Sequence, residues 1–509
     1  MDRGTRGAPE GRLAPSGDGD PSLISEEDET GYVARLRQLA EAAPDERVYR
    51  HIARDGSEPA FTWRWIDRRS TQLARALAAR GVGFGDRVGI GLHNSPQLVL
   101  SVFATWKLGA VPVPVRWDLP DWELSRLLDV VEPRVYLSED DLGWIAATES
   151  DDVAEPEIVV SPHLHGICSS GSTGTPKVIL SGSPATFNPS YTIPLAETWG
   201  PVARPQTILV LAPMYHVNAF STFGSLLSGD RLLVLEKFDA DRALDVIERH
   251  GVTTFTATPT MLRRMADAQD AHPRTLCSLD WITQGAAPMP STLAHRWGAL
   301  IGYERLVMAY GMTEGLGITV VRGDEWLTRE GTVGRGWQGT EVRILDADGS
   351  DLPPRAIGDI YLQKPRGGYQ YLGDEPRLPS TDDGFHSGGD VGYLDEDGFL
   401  YLVDRRADLI ISGGANVYPA EVEVALIDHP EIVDVVVIGL TDAQWGRRVH
   451  AVVEPRDPSS PPTAEDVIAF AKGRLAPYKV PKTVEMVEAI PRSEATKVNR
   501  GRLIEARGG

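Results

Sequence analysis

Nine consecutive residues in the first half of the chain have the composition of a phosphate-binding loop. They are Ser169, Ser170, Gly171, Ser172, Thr173, Gly174, Thr175, Pro176 and Lys177. Glycines allow backbone N–H groups to turn towards an anion, hydroxyl groups donate further hydrogen bonds, and a lysine adds a mobile positive charge. No Gly-x-x-x-x-Gly-Lys-Ser/Thr register passes through the segment, so it is not a Walker A loop. The composition predicts polyphosphate binding, with an ordinary surface turn as the alternative.

Two carboxylates and one histidine further along the chain have chemistry that suits a nucleotide and its reaction partner. Glu314 follows an apolar run and could supply the hard oxygen ligand that Mg²⁺ prefers. Asp390 could accept hydrogen bonds from both hydroxyls of a ribose. His216 follows another apolar run. Considered singly, each also fits a structural role in a turn, an ion pair or the core.

The order of these segments resembles that of the adenylate-forming superfamily, which includes acyl-CoA synthetases, luciferases and the adenylation domains of peptide synthetases. The matching segments are the phosphate loop, Ala212–Phe220, Gly285–Pro288, Tyr310–Glu314, His386–Gly392 and Pro491–Val498. Together they extend over roughly residues 60 to 505. Their joint occurrence in this order is far more specific than any one of them.

The resemblance implies a site for ATP and Mg²⁺. The phosphate loop would bind the phosphates, Thr313 a phosphate oxygen, and Glu314 the Mg²⁺ ion. Tyr310, in one block with Gly311 and Met312, would stack on the adenine. The remaining nucleotide contacts would come from Gly285, Ala286, Ala287 and Pro288 along the adenine, and from Asp390 and Arg405 at the ribose.

The resemblance also implies how an acid is bound and activated. His216 would position the carboxyl substrate, and Asn218, Ala219 and Phe220 would line its pocket. Lys497 would be the catalytic lysine. Negative charge develops as a carboxylate attacks the α-phosphorus, and an ammonium group carried by a mobile domain supplies the countercharge at that moment.

The implied reaction has two steps. Carboxylate and MgATP give an acyl-adenylate and pyrophosphate, after which the small domain would rotate at residue 407 and a second nucleophile would displace AMP. The segment Ile410–Glu421 is similar to that of acyl-CoA synthetases, so coenzyme A is the first expectation. Three positions depart from the usual pattern: Ala407 at the hinge, Thr496 before the lysine, and Arg447 after Trp-Gly.

Those departures lie in the C-terminal part of the chain, which handles the second step. The sequence is therefore also compatible with acceptors other than coenzyme A. One alternative is an amide-bond synthetase of secondary metabolism that uses an amine. Another is a divergent member that activates nitrite to diazotise an aryl amine. A catalytically silent binding module would be expected to have lost Lys497, Glu314 or the phosphate loop, and all three are present.

The elements that must position these residues predict an α/β fold. Short β-branched runs alternate with helical patterns up to about residue 330, such as a helix capped by Thr62 and ending at Gly81. We expect a large N-terminal domain of two α/β subdomains plus a small β-rich subdomain, joined by a hinge to a small α+β C-terminal domain. The predicted boundaries are a disordered lead at 1–28, the N-terminal domain at 29–404 and the mobile C-terminal domain at 405–509.

The composition of the chain predicts small-molecule partners rather than nucleic acids or a membrane. The chain has 509 residues, with 51 Lys and Arg against 72 Asp and Glu, and its net charge of −21 argues against nucleic-acid binding. Cys168 and Cys277 are its two cysteines, which favours a reducing compartment without disulfides. No apolar run is long enough for a membrane span. We therefore expect a cytoplasmic enzyme for a small carboxylic acid, with Tyr215, Phe220 and Trp199 suggesting an aromatic or medium-sized one.

Overall fold

The computed structural model describes residues 29–148, 157–170, 176–365, 367–373, 377–405, 408–412, 415–442, 444–492 and 498–508. Several predictions fall outside these residues. They concern the disordered lead at 1–28, the loop centre Gly171, Ser172, Thr173, Gly174 and Thr175, the hinge Ala407, and the pair Thr496 and Lys497.

Up to residue 187 the described elements alternate between strands and helices. In chain order they are β1 (Thr30–Gly31), α1 (Tyr32–Ala42), β2 (Arg47–Ile52), β3 (Ala60–Thr62), α2 (Trp63–Ala79), β4 (Arg87–Gly91), α3 (Pro96–Lys107), β5 (Val111–Pro114), α4 (Asp121–Val131), β6 (Val135–Ser138), α5 (Leu142–Ala147), β7 (Gly166–Ser170), β8 (Pro176–Ser181) and β9 (Thr186–Phe187).

The alternation continues to about residue 326 and then gives way to strands. These elements are β10 (Thr207–Val210), α6 (Val217–Phe220), α7 (Thr222–Leu227), β11 (Arg231–Leu235), α8 (Ala240–His250), β12 (Thr254–Ala257), α9 (Pro259–Ala271), β13 (Trp281–Gln284), α10 (Ser291–Ile301), β14 (Leu306–Gly311), β15 (Ile318–Arg322), α11 (Gly323–Trp326), β16 (Thr332–Gly336), β17 (Glu341–Leu345), β18 (Gly358–Gln363), β19 (Tyr369–Leu372), β20 (Asp390–Leu394) and β21 (Leu400–Arg405).

The C-terminal part mixes strands with three helices among its described residues. They are β22 (Ile410–Ser412), β23 (Ala415–Val417), α12 (Pro419–Leu426), β24 (Ile432–Asp442), β25 (Gly446–Pro455), α13 (Ala464–Lys472), β26 (Thr483–Met486) and α14 (Arg500–Glu505). The five strands form one sheet, in which β24 and β25 pair antiparallel.

Polar caps explain where several helices begin. The Thr62 hydroxyl accepts a hydrogen bond from the Trp65 N–H at 3.2 Å, which confirms the predicted cap of α2. Thr463 and Asp466 form a reciprocal capping box at the start of α13, as their spacing indicates. Local side-chain chemistry therefore sets these boundaries independently of the packing around them.

Most strands of the second α/β unit and of the β-rich part belong to one sheet, which β2 and β3 of the first unit extend at one edge. Its order is β17-β18-β20-β21-β16-β15-β14-β13-β12-β10-β11-β2-β3. The strands from β14 through β13, β12, β10 and β11 to β2 pair in parallel, whereas β15 returns antiparallel to β14. The expected β-rich subdomain is thus a continuation of the parallel sheet through this hairpin. A smaller sheet, β5-β4-β6, lies in the first unit, and another, β19-β8-β7, joins two strands of the first unit to β19 of the β-rich part.

The buried apolar side chains form separate clusters on the two sides of residues 405–410. In the first unit, Phe103, Trp106 and Phe223 meet in edge-on contacts with ring centroids 5.4–5.5 Å apart. The C-terminal sheet has its own core, with Val437 and Val449 fully buried. None of the described helices is long and apolar enough to cross a membrane.

Candidate nucleotide and acid site

A single cleft of about 3540 Å³ collects most of the described residues that the sequence predicts for the site. Those that line it are Lys177, Asn218, Gly285, Ala286, Ala287, Pro288, Tyr310, Gly311, Met312, Thr313, Glu314 and Asp390. Residues from the C-terminal part, such as Tyr418 and Arg500, line it as well. The cleft therefore has room for a nucleotide and a second substrate, and both parts of the chain border it.

The predicted adenine and ribose residues are joined by a hydrogen bond. Tyr310 lies near the end of β14 and Asp390 is the first residue of β20. The Tyr310 hydroxyl donates to Asp390 Oδ2 at 2.7 Å, and the two residues are only 9% and 7% exposed. Arg405 is the backbone partner of Asp390 across β20 and β21. The hydrogen bond joins Tyr310 to Asp390, and the strand register places Arg405 opposite Asp390, so the three predicted nucleotide residues come together.

Glu314 lies on the turn of the β14–β15 hairpin. The Gly315 N–H donates to the Met312 carbonyl at 2.9 Å, and Gly315 has a φ of +64°, a conformation that favours glycine. The turn presents the Glu314 side chain to the cleft, where Oε1 accepts a hydrogen bond from the Tyr371 hydroxyl at 2.8 Å.

Tyr371 connects this turn with the phosphate loop and was not singled out in the sequence. It lies on β19, whose antiparallel partner β8 begins at the end of the loop. Lys177 Nζ is 5.5 Å from the centroid of the Tyr371 ring. The spacing of Tyr369 and Tyr371, two residues apart after two glycines, is the sequence pattern that could have indicated a strand with both tyrosines on one face.

The donor set fits a magnesium ion that arrives with ATP. Among the described residues no group of three or more His, Cys, Asp or Glu side chains could hold a metal. Mg²⁺ retains several waters and binds through one or two carboxylates plus substrate phosphates, rather than in a protein cage. The Glu314 carboxylate, oriented by Tyr371, meets that requirement, and Lys177 lies near the ring of the same tyrosine.

The predicted adenine turn follows β13 and has a strained backbone. Ala286 has a φ of +69°, which is uncommon for a residue with a Cβ atom. The Gln284 side chain holds the turn by donating to the Gly285 and Ala287 carbonyls at 3.2 and 2.6 Å. A Cβ atom at Gly285 would lie 4.0 Å from Asn218 Nδ2, so this turn and the predicted acid pocket adjoin. Strain of this kind is typical of ligand sites.

The predicted acid pocket is only partly exposed to the cleft. His216 is partly buried and precedes α6, with its ring centroid 4.4 Å from that of Tyr215. Asn218 lines the cleft, whereas Ala219 and Phe220 are 3% and 2% exposed and pack in the core. Because α6 is a single helical turn, successive side chains point in different directions, and only some of them face a ligand.

Two further residues of the cleft were not predicted from the sequence. His165 lines it with its ring centroid 5.2 Å from that of Phe220, and burial lowers the pKa of His165 to about 4. Lys364 also lines it, just beyond the end of β18, and burial lowers the pKa of its amine. Neither residue belongs to a recognisable motif, so spatial position alone identifies them.

Comparison with protein families gives two matches along the chain. The model described as "AMP-binding enzyme" matches residues 36–372, and the model described as "AMP-binding enzyme C-terminal domain" matches residues 421–497. Together they contain the phosphate loop, the turn with Glu314 and the segment with Lys497.

Characterised relatives resemble the chain over nearly their full length. A 2-succinylbenzoate–CoA ligase of Bacillus velezensis is 33% identical over 93% of this chain and 98% of its own. A feruloyl-CoA synthase of Amycolatopsis is 34% identical over 87% of this chain and 93% of its own. A solved structure of an o-succinylbenzoate coenzyme A synthetase of Bacillus subtilis, in complex with ATP and a magnesium ion, has a TM-score of 0.78 and 28% identity, covering 93% of this chain and 99% of that one.

Proposed function

Because this chain belongs to the family of AMP-binding enzymes, we propose that it activates an aromatic carboxylic acid and transfers the acyl group to coenzyme A. The enzyme is an ATP- and Mg²⁺-dependent acid–thiol ligase that forms AMP and pyrophosphate. The relatives favour coenzyme A over the amine and nitrite acceptors that the sequence left open. The observation that carries the proposal is the convergence of Lys177, Glu314 and Asp390 on one cleft.

In the first step of the proposed reaction, a carboxylate oxygen attacks the α-phosphorus of ATP. The new bond joins that oxygen to phosphorus, while the bond to the pyrophosphate leaving group breaks. Such transfers depend mainly on positioning and charge stabilisation. When bound, Mg²⁺ neutralises part of the phosphate charge. Glu314 would hold the ion, Lys177 and Thr313 would bind phosphate oxygens, and Asp390 would fix the ribose.

In the second step, the thiol sulfur of coenzyme A bonds to the acyl carbon, the bond from that carbon to the phosphate oxygen of AMP breaks, and the thiol proton is released as AMP leaves. The proposed catalytic lysine of the first step, Lys497, would have to withdraw before the thiol enters. We propose that residues 405–509 rotate as a domain against residues 29–404, with Ala407 as the pivot. The separate apolar cores on the two sides of residues 405–410 support this division.

An aromatic acid is the substrate class best supported. The names of two relatives specify 2-succinylbenzoate and ferulate, both of which carry a benzene ring. In this chain Trp199 and Trp337 line the cleft. Trp199 Nε1 donates to Glu325 Oε2 at 3.1 Å and Trp337 Nε1 donates to Thr198 Oγ1 at 2.9 Å, so both indole rings are held in place. Oriented aromatic faces favour a flat apolar ligand.

The test is pyrophosphate release with a panel of carboxylic acids, followed by AMP formation with three acceptors. We expect aryl acids to release pyrophosphate far faster than short aliphatic acids, and coenzyme A to accelerate AMP formation with the best acid. Equal rates with aliphatic acids would reject the substrate class. Acceleration by an amine or by nitrite, but not by coenzyme A, would reject the acceptor. We also propose a cytoplasmic location, because ATP and coenzyme A are both cytoplasmic metabolites.

A further inference from the structure

Lys364 occupies the connection between the two sheets that border the phosphate region. It follows β18 of the large sheet, and a short segment then leads to β19, which carries Tyr371. That strand pairs with β8 directly after the phosphate loop. Lys364 therefore lies between a strand of the large sheet and the strand that pairs with the end of the phosphate loop. It belongs to neither of the segments predicted to bind phosphate.

The ammonium group of Lys364 lies against the turn that presents Glu314. Its Nζ atom is 3.4 Å from the point that a Cβ atom on Gly315 would occupy, and 2.8 Å from the corresponding point on Gly367. Both neighbours are glycines, so the lysine passes between two stretches of backbone that carry no side chain. Because Gly315 is the next residue after Glu314, the ammonium group lies against the backbone of the turn that carries the carboxylate proposed to hold Mg²⁺.

Lys364 differs from Lys107 and Lys479 in having no carboxylate partner among the residues that the structure describes. Lys107 is completely buried and binds Asp67 Oδ1 at 2.5 Å, and Lys479 binds Glu421 Oε1 at 2.6 Å. No described residue forms a hydrogen bond or an ion pair with Lys364. A partly buried cation without an anion is unfavourable, which is why burial lowers the pKa of Lys364. Lys364 borders the cleft, so a ligand can supply the missing anion.

We infer that Lys364 is a second ammonium group of the polyphosphate site, which binds an oxygen of the β- or γ-phosphate of ATP and of the departing pyrophosphate. This inference rests on the proposed function, since it takes ATP as the ligand. The β- and γ-phosphates are the anions expected nearest to Glu314, because they share its Mg²⁺ ion. Lys177 would then bind from the loop and Lys364 from the hairpin connection, and pyrophosphate would leave from between two cations.

The inference is tested by equilibrium binding in the absence of any acid. Calorimetry would compare a non-hydrolysable MgATP analogue, MgPPi and AMP on the wild type and on Lys364→Met and Lys364→Gln, two neutral replacements. We expect the dissociation constants of the ATP analogue and of pyrophosphate to rise about tenfold or more, since a charge-assisted phosphate contact is lost. The dissociation constant of AMP should change less than twofold, because AMP lacks the β- and γ-phosphates.

Two controls separate this role from general damage. Lys364→Arg retains the charge and should recover much of the binding, while Lys472→Met, at the end of α13, removes an exposed lysine and should change nothing. Equal weakening of AMP and the ATP analogue, or unchanged binding of both, would overturn the inference. Failure of the wild type to bind the ATP analogue would instead reject the proposed function. No acid is used, so an incorrect substrate class cannot affect the result.

Discussion

The Tyr310 hydroxyl donates a 2.7 Å hydrogen bond to Asp390 Oδ2, joining two motifs that are 80 residues apart in the chain. The aromatic ring proposed to stack on the base and the carboxylate proposed to bind the ribose are thus held together by a direct hydrogen bond. A Cβ atom at Gly388 would lie only 2.4 Å from Met312 Sδ, so the same two motifs also pack tightly. We therefore expect Tyr310 and Asp390 to bind the nucleoside as a unit.

Tyr310→Phe should weaken AMP binding while retaining the ring. The variant removes the donor that orients Asp390 and leaves a buried carboxylate oxygen with one fewer partner, at a cost of about 1–3 kcal/mol. We expect the dissociation constant of AMP to rise several-fold and the free energy of unfolding to fall. Calorimetry and denaturant unfolding measure the two quantities. Wild-type values in both experiments would show that the contact is dispensable.

Replacing Glu314 by Gln should raise the Mg²⁺ concentration needed for half-maximal pyrophosphate release. A neutral amide oxygen is a weaker ligand for a hard cation than a carboxylate. Tyr371→Phe should shift the same titration in the same direction but by less, because it removes only the hydrogen bond that orients Glu314. The matched control is Tyr393→Phe, on β20. An unchanged metal titration in the Glu314 variant would contradict its role.

Asn218 and Phe220 should differ in what their substitution changes. Asn218 lines the cleft, so Asn218→Ala or Asn218→Leu should alter the ratio of kcat/KM between two acids with little effect on the KM for ATP. Phe220 lies in the core against Trp106 and Phe223, and Phe220→Ala should cost about 3–5 kcal/mol of stability. If a Phe220→Leu variant had normal stability but a changed acid preference, Phe220 would line the acid pocket after all.

Lys497→Ala should reduce acid-dependent ATP–pyrophosphate exchange by on the order of 10²-fold or more. The ammonium group would stabilise charge that develops in the transition state of adenylation, so its loss affects kcat rather than substrate binding. Hydrolysis or thiolysis of a chemically prepared acyl-adenylate should be much less affected, since that step does not need the lysine. Exchange at the wild-type rate would contradict the assignment.

The sequence predicted the elements and the order of the motifs better than the direction of individual side chains. Caps such as Thr62 and Thr463 depend on neighbouring residues, so local patterns suffice to identify them. Tyr371 and Lys364 gain their positions from strand pairing between distant segments, which no local pattern contains. Phe220 lies on the side of the single-turn helix α6 that faces the core. In so short a helix, a shift of one residue moves a side chain from the cleft to the core.

His165 should make the protein less stable as the pH falls from about 6.5 to about 4. Burial lowers the pKa of His165 to about 4 in the folded chain, whereas an unfolded histidine titrates near 6.5. Between these values the unfolded state binds the additional proton, so the free energy of unfolding decreases with falling pH and is unaffected by this group above that window. His165→Gln should therefore flatten the decline between pH 6.5 and pH 4 in urea unfolding experiments. His272→Gln, which alters a side chain that is 77% exposed, is the control and should leave the slope unchanged. Equal slopes for wild type and His165→Gln would mean that the ring is protonated in the folded protein.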